Sequence, residues 1–182
     1  MSLPFYLSYA ALWVIVILNT LLLLGVVRMV YQLQHSGGDG KLKPGEEAPP
    51  FRAVDLAGTP VRSADFAGRL TALLFVSPTC PSCTTTLAEM DALRYKAQGN
   101  VIVICRAGRD DCARLAARHQ LNVPTIADED EEISRLFDIS SVPTAVLINA
   151  GGRIQSYGNP MRGEDLEALF SQAPAPEAQE VG

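Results

Sequence analysis

Four cysteines carry the reactive chemistry of this chain, at positions 80, 83, 105 and 112. The first two form Cys80-Pro81-Ser82-Cys83. Two intervening residues set the sulfurs one helical turn apart, so the pair can close to a disulfide or open to a dithiol. The pair follows the apolar run Leu70–Val76 and opens a segment that reads as a helix from Pro81 to about Ala97. At a helix N-terminus the free backbone N–H groups and the helix dipole favour a thiolate. Cys80, at the outer end, is the expected nucleophile. Cys83, one turn later, is the expected resolving thiol. Pro81 suits the first helical position, where no N–H is needed. Ser82 completes the motif.

The same spacing also describes half of a zinc site. The other half would have to be Cys105 and Cys112, whose separation exceeds the two to four residues such sites use. His35 and His119 do not improve the set. An inert buried pair is the other bland reading, but a helix-opening pair is an unusual place for inert cysteines. Neither a metal nor an organic cofactor is expected. Cys105 and Cys112 allow three readings: a local structural disulfide, which is preferred, two free thiols, or a relay to Cys80–Cys83.

The elements that must position these residues alternate. Phe51–Val54 and a short strand at Val61 flank Asp55-Leu-Ala-Gly58, a hairpin signal. Leu70–Val76 has the composition of a central strand covered on both faces. After the first helix, Val101–Ile104 is a second buried strand, which puts Cys105 at the active-site edge. A helix from Asp110 to Gln120 follows, with Asp110 or Asp111 as N-cap. Val123–Ile126 is extended, Asp128–Phe137 helical, and Thr144–Ile148 and Arg153–Tyr157 form a hairpin about Asn149-Ala-Gly-Gly152. Arg162–Phe170 is the last helix. The order implies an α/β mixed sheet with helices on both faces.

Of the 182 residues, 48% are hydrophobic and 19% charged, which excludes a disordered chain. The net charge of -5 argues against nucleic acid as a partner. No charged residue occurs from Met1 to Val27, and Ala10–Val27 is apolar except for Asn19 and Thr20. Phe5, Tyr6, Tyr9 and Trp13 lie at one end and Tyr31 at the other, as at two membrane interfaces. Residues 1–33 therefore read as a transmembrane anchor, with membrane contact over residues 8–33. Residues 34–47 read as a flexible linker, 48–172 as the globular domain, and 173–182 as a low-complexity tail. Arg28, Lys41 and Lys43 follow the span, and by charge alone favour a cytoplasmic domain.

Cys80-Pro-Ser-Cys83 after Leu73-Leu-Phe-Val76 resembles the redox motif of the thioredoxin fold. Ser141-Val-Pro-Thr144, before a strand–hairpin–strand, resembles the segment that carries that family's cis-proline. The long intervening segment resembles the inserted β-α unit of the TlpA/ResA-like membrane-anchored branch. So do Gly45-Glu-Glu-Ala-Pro-Pro-Phe51, Asp55-Leu-Ala-Gly58 and Phe66-Ala-Gly-Arg69. Within the branch, Ser77-Pro-Thr-Cys-Pro-Ser-Cys83 and the anchor are most similar to the MauD-type methylamine-utilisation proteins.

The resemblance implies a thioredoxin-like sheet preceded by one transmembrane helix. It implies a thiol–disulfide oxidoreductase that assists disulfide formation or isomerisation in an exported redox enzyme, such as methylamine dehydrogenase. Its partners would be a protein thiol or disulfide client and a larger membrane complex. Its place would be the inner membrane, single-pass, with the domain in the periplasm. Pro124 and Pro143 both lie in Val-Pro-Thr. Pro143 is the better cis-proline because Thr-Ala-Val-Leu-Ile148 and the Gly-Gly hairpin follow it. Val142 would then pair with an extended client. Two positions depart from the thioredoxin pattern: Thr79 stands where its tryptophan would be, and Leu74 where its buried acid would be. A peroxidase reading lacks its pattern, since no Pro-x-x-x-Thr-x-x-Cys ends on Cys80. The rival reading is a non-catalytic scaffold or interaction subunit of a membrane complex.

Overall fold

Three adjacent strands alternate their side chains between two apolar clusters, and that alternation organises the domain. The computed structural model describes residues 9, 12–26, 42–94 and 99–171. The strands are β1 (Arg52–Val54), β2 (Pro60–Arg62), β3 (Thr71–Val76), β4 (Asn100–Cys105), β5 (Thr125–Ala127), β6 (Thr144–Ile148) and β7 (Ile154–Gly158). The helices are α1 (residues 12–26), α2 (Pro81–Arg94), α3 (Arg109–Arg118), α4 (Glu132–Leu136) and α5 (Gly163–Ser171), with a 3-10 turn at Ser63–Phe66. Every residue of β3 is buried. Leu73 and Phe75 join Ile102, Ile104, Val146 and Ile148 in one cluster. Leu74 and Val76 join Val103, Cys105 and Ala145 in the other. Period-two burial on both faces is what a central strand requires.

The main sheet has the order β5-β4-β3-β6-β7, and β1-β2 form a separate antiparallel ribbon. β3 is parallel to β4, and β4 to β5, while β6 runs antiparallel to β3. Two successive right-handed crossovers place α2 and α3 on the same face. There Leu87 and Met90 of α2, Leu115 of α3 and Leu166 of α5 cover the second cluster. On the other face Phe51, Phe66, Ile133 and Phe137 cover the first. Phe137 packs its ring against both Phe51 and Phe75, with centroids 6.1 and 6.0 Å away.

Both edge strands are tied to segments that precede the sheet, β7 at its first residue only. At β5, Leu56 N–H donates to Thr125 O at 2.8 Å, and Arg109 donates to Leu56 O at 2.7 Å. At β7, Gly45 N–H donates to Ile154 O at 2.7 Å and Ile154 N–H to Glu46 O at 2.8 Å. Gly45–Glu47, assigned to the linker from sequence, is thus tied to the sheet.

Several expectations change. α3 starts at Arg109 with Gly108 as its N-cap, so neither Asp110 nor Asp111 caps it. Both instead lie in the first turn, where the helix dipole favours a carboxylate. α4 is shorter than Asp128–Phe137 because the Asp128 carboxylate is used as a cap. It accepts the N–H groups of Ile133 and Ser134 at 3.0 and 2.8 Å. Glu131, with φ 55°, interrupts the helical path. α2 ends at Arg94; residues 95–98 and the tail 173–182 lie outside the described residues, as do 34–41 of the linker.

The largest correction concerns the N-terminus. The chain divides into two units, Met1–Ser36 and Gly37–Gly182. In the first, α1 exposes its apolar side chains, Leu12 to Val26. No helix among the described residues is long and apolar enough to cross a membrane. This overturns the single-pass inner-membrane anchor. Phe5, Tyr6 and Tyr31, invoked for that anchor, and Arg28 and Lys41, invoked for its orientation, lie outside the described residues.

Tyr157, on β7, gives the domain an alkaline limit. Its hydroxyl oxygen is buried with no hydrogen-bond partner among the described residues. Burial, then the negative charges of Asp138 and Glu46, push its pKa up to about 12. In the unfolded chain a tyrosine ionises near 10. The folded form therefore keeps its proton longer, and the stability this contributes is complete below about pH 10 and lost as pH rises through about 12. The urea midpoint of the protein should fall across that window, and Tyr157→Phe should flatten part of the fall. Identical slopes would refute the assignment.

Candidate active site

The end of β3 delivers the chain to the site. Cys80 N–H closes a turn onto Ser77 O at 3.1 Å, and Ser77 Oγ lies 3.0 Å from Thr79 Oγ1. Cys80 directly precedes Pro81, the first residue of α2. Pro81 is exposed and Ser82 half-buried. Cys83 N–H, one of the donors a helix leaves free in its first turn, lies 3.1 Å from Cys80 Sγ. The sulfur stands where a capping oxygen would, and a thiolate there gains a charge-assisted hydrogen bond. Cys80 and Cys83 are disulfide-bonded. Cys80 is half-buried and Cys83 fully buried, so only the first sulfur has access to a large molecule.

Opposite Cys80 lies the segment before β6. The Val142–Pro143 peptide is cis, and Val142 O is 3.6 Å from Cys80 Sγ. Pro143 is buried and Val142 half-buried. Pro124, the other candidate, is exposed before β5 and its peptide is not cis. Leu74 is fully buried in the cluster that also contains Cys83. Thr79 is exposed.

The parallel register pairs Val76 with Cys105, which brings Cys105 to the same sheet edge as Cys80. Cys105 is disulfide-bonded to Cys112 of α3, and both are fully buried. Neither sulfur of this pair is open to a client.

Sequence reasoning missed the loop between β7 and α5. Thr86, on α2 and about one turn beyond Cys83, donates its hydroxyl to Pro160 O at 2.7 Å. Asn159 Oδ1 lies 3.0 Å from Thr144 Oγ1, just after Pro143. Glu89 accepts the Gly163 N–H at 2.5 Å. A Cβ on Gly163 would come within 2.6 Å of Glu89 Cβ, so glycine is needed for α5 to approach α2. Exposed Met161 sits in this loop beside a surface recess of about 390 Å³. Nothing local in the sequence signals these ties, because each joins residues far apart in the chain. A second cavity, between Asp55, Phe66 and Val123, is lined by none of the four cysteines.

Comparison with known proteins agrees with this geometry. The family model described as AhpC/TSA family matches residues 44–157. The thiol-disulfide oxidoreductase ResA of Bacillus cereus is 29% identical over 157 residues, covering 84% of this chain and 91% of its own. The methylamine utilization protein MauD of Paracoccus denitrificans is 29% identical over 172 residues, covering 90% of this chain and 86% of its own. Among solved structures, a Chlorobium tepidum protein assigned as thiol:disulfide interchange protein DsbE superposes with a TM-score of 0.66 at 26% identity. It covers 72% of this chain and 96% of its own. The fold is the thioredoxin-like α/β fold with a mixed sheet.

Proposed function

The chain belongs to the AhpC/TSA family, and from that premise we propose that it is a thiol–disulfide oxidoreductase acting on protein clients through Cys80 and Cys83. The observation that carries this reading is the asymmetry of the pair. One sulfur is accessible and hydrogen-bonded at a helix start, and the other is buried one turn behind it. In the reducing direction, the Cys80 thiolate attacks a client disulfide and displaces one client thiolate. Cys83 then attacks Cys80 Sγ, releases the second client thiol and closes the Cys80–Cys83 disulfide. In the oxidising direction the same steps run backward and the client gains the disulfide. The exchange itself needs no metal or organic cofactor. Val142 and Pro143, beside Cys80 Sγ, shape the approach of an extended client segment.

The client is a disulfide-containing redox enzyme, which this protein helps to form or rearrange its disulfides. The relatives named for methylamine utilisation support an enzyme of that process, methylamine dehydrogenase being the specific candidate. The chemistry belongs to residues 48–172.

Trapping tests both levels. In Cys83→Ser the second step is removed, so mixed disulfides at Cys80 should accumulate and run as reducible adducts on gels. Mass spectrometry of the adduct names the client. If the same adducts form with Cys80→Ser/Cys83→Ser, or none form with Cys83→Ser, Cys80 is not the attacking group. An adduct with an enzyme unrelated to methylamine utilisation would keep the activity and replace the client.

A further inference from the structure

The second cysteine pair has no step in the exchange cycle, yet it is built against the site. Cys105 ends β4 beside Val76, the last residue of β3, and its disulfide partner Cys112 lies in α3. Both are fully buried in the apolar cluster that contains Cys83 and against which Cys80 packs. The turn enclosed by this disulfide is also fastened to its surroundings by hydrogen bonds and by the Arg106–Glu131 ion pair at 2.8 Å. Arg106 N–H donates to Val76 O at 2.8 Å, where the chain leaves β3 for Cys80. Cys105 O accepts Asp128 N–H at 2.8 Å. Arg109 donates to Leu56 O at 2.7 Å.

We infer that Cys105–Cys112 is a positioning disulfide. It does not exchange with Cys80–Cys83, but it holds the β4–α3 turn against the end of β3 and thereby favours closure of the Cys80–Cys83 disulfide. The inference rests on Cys80–Cys83 being the exchanging pair. Two thiols close to a disulfide in proportion to their effective concentration, and a cross-link that orders their shared surroundings raises that concentration. The coupling is reciprocal: whatever the second pair adds to the first, the first adds to the second. Full burial keeps both sulfurs of the second pair from an attacking thiolate while the chain is folded.

The test is a redox titration of the full chain in glutathione buffers, with alkylated cysteines counted by mass spectrometry. In the wild type, Cys80 and Cys83 should titrate together, with Cys105 and Cys112 alkylated only after denaturation in the presence of excess reductant. In Cys105→Ala/Cys112→Ala, the equilibrium constant for closing Cys80–Cys83 should fall by about three- to tenfold, tenfold being about 30 mV. A folded double variant with an unchanged constant would make the second disulfide purely structural and overturn the inference. So would titration of Cys105 and Cys112 alongside the first pair, or a cross-linked peptide joining Cys83 to either of them.

Should the double variant fail to fold, Cys105→Val/Cys112→Ala refills part of the buried space and is titrated in the same way; the same three- to tenfold fall is expected, and an unchanged constant overturns the coupling. If wild-type Cys80–Cys83 does not equilibrate with glutathione at all, the exchange reading of the site itself falls, a result distinct from both.

Discussion

Replacing Cys80 with serine is expected to reduce disulfide exchange with a protein substrate by at least about a thousandfold, about 4 kcal/mol of transition-state stabilisation. A serine hydroxyl holds its proton at neutral pH and is no nucleophile toward sulfur. The cap hydrogen bond from Cys83 N–H would survive, since an oxygen accepts it at least as well. Folding is therefore expected to persist while chemistry is lost. Cys83→Ser should differ, keeping the first attack and losing only release. The measurement is the initial rate of exchange on a disulfide-containing protein, with the unfolding midpoint recorded on the same sample. A Cys80→Ser protein that turns over within tenfold of wild type would mean that Cys80 does not attack the client.

The second large effect is on stability. Phe137→Ala should cost about 3–5 kcal/mol, the usual range for emptying a buried phenylalanine site. Phe137 is fully buried: it touches Phe51 from the segment before β1 and Phe75 from the centre of β3. Removing the ring separates α4 from both. Against a typical total of about 5–15 kcal/mol, that is a large share. The thermal midpoint should drop by roughly 10 °C or more for a domain of this size. A cost below about 1 kcal/mol by urea denaturation, far under the usual range, would show that the cluster collapses into the space and that the ring contacts are replaceable.

The sheet was legible because burial writes itself into composition. Leu70–Val76 is apolar at nearly every position because β3 is covered on both faces, and the structure places Thr71–Val76 at the centre. The order of elements from β3 to α5 followed from such runs and from turn residues such as Asn149-Ala-Gly-Gly152. The cysteine spacing showed which sulfurs lie close in the chain. It could not show that Cys105 lies beside Val76, which depends on strand register. The caps were misread for a related reason. Asp110 looks like a cap of α3 in sequence, but that helix starts one residue earlier with Gly108 as its cap; at α4 the working carboxylate is Asp128, several residues ahead of the N–H groups it holds. The tie between Thr86 and Pro160 joins residues 74 positions apart and has no local signature. At the N-terminus, composition alone argued for a membrane span, whereas no helix among the described residues is long and apolar enough to cross a membrane.

The way the sheet is finished bears on how this chain behaves at high concentration. An open strand edge is a template on which another molecule can add a strand, and proteins that leave one bare tend to associate. Here the same short stretch of chain engages both borders, β5 along its length and β7 at its start. Gly45–Glu47 occupies one border at Ile154, and Asp55–Leu56 the other at Thr125–Ile126. The stretch from 45 to 56 thus works as a girdle around the sheet, with the guanidinium of Arg109 as its buckle. Its contribution is colloidal as well as energetic, because a chain shortened past Leu56 would bare strand edges at both borders and lose the Phe51 ring from the core in the same cut.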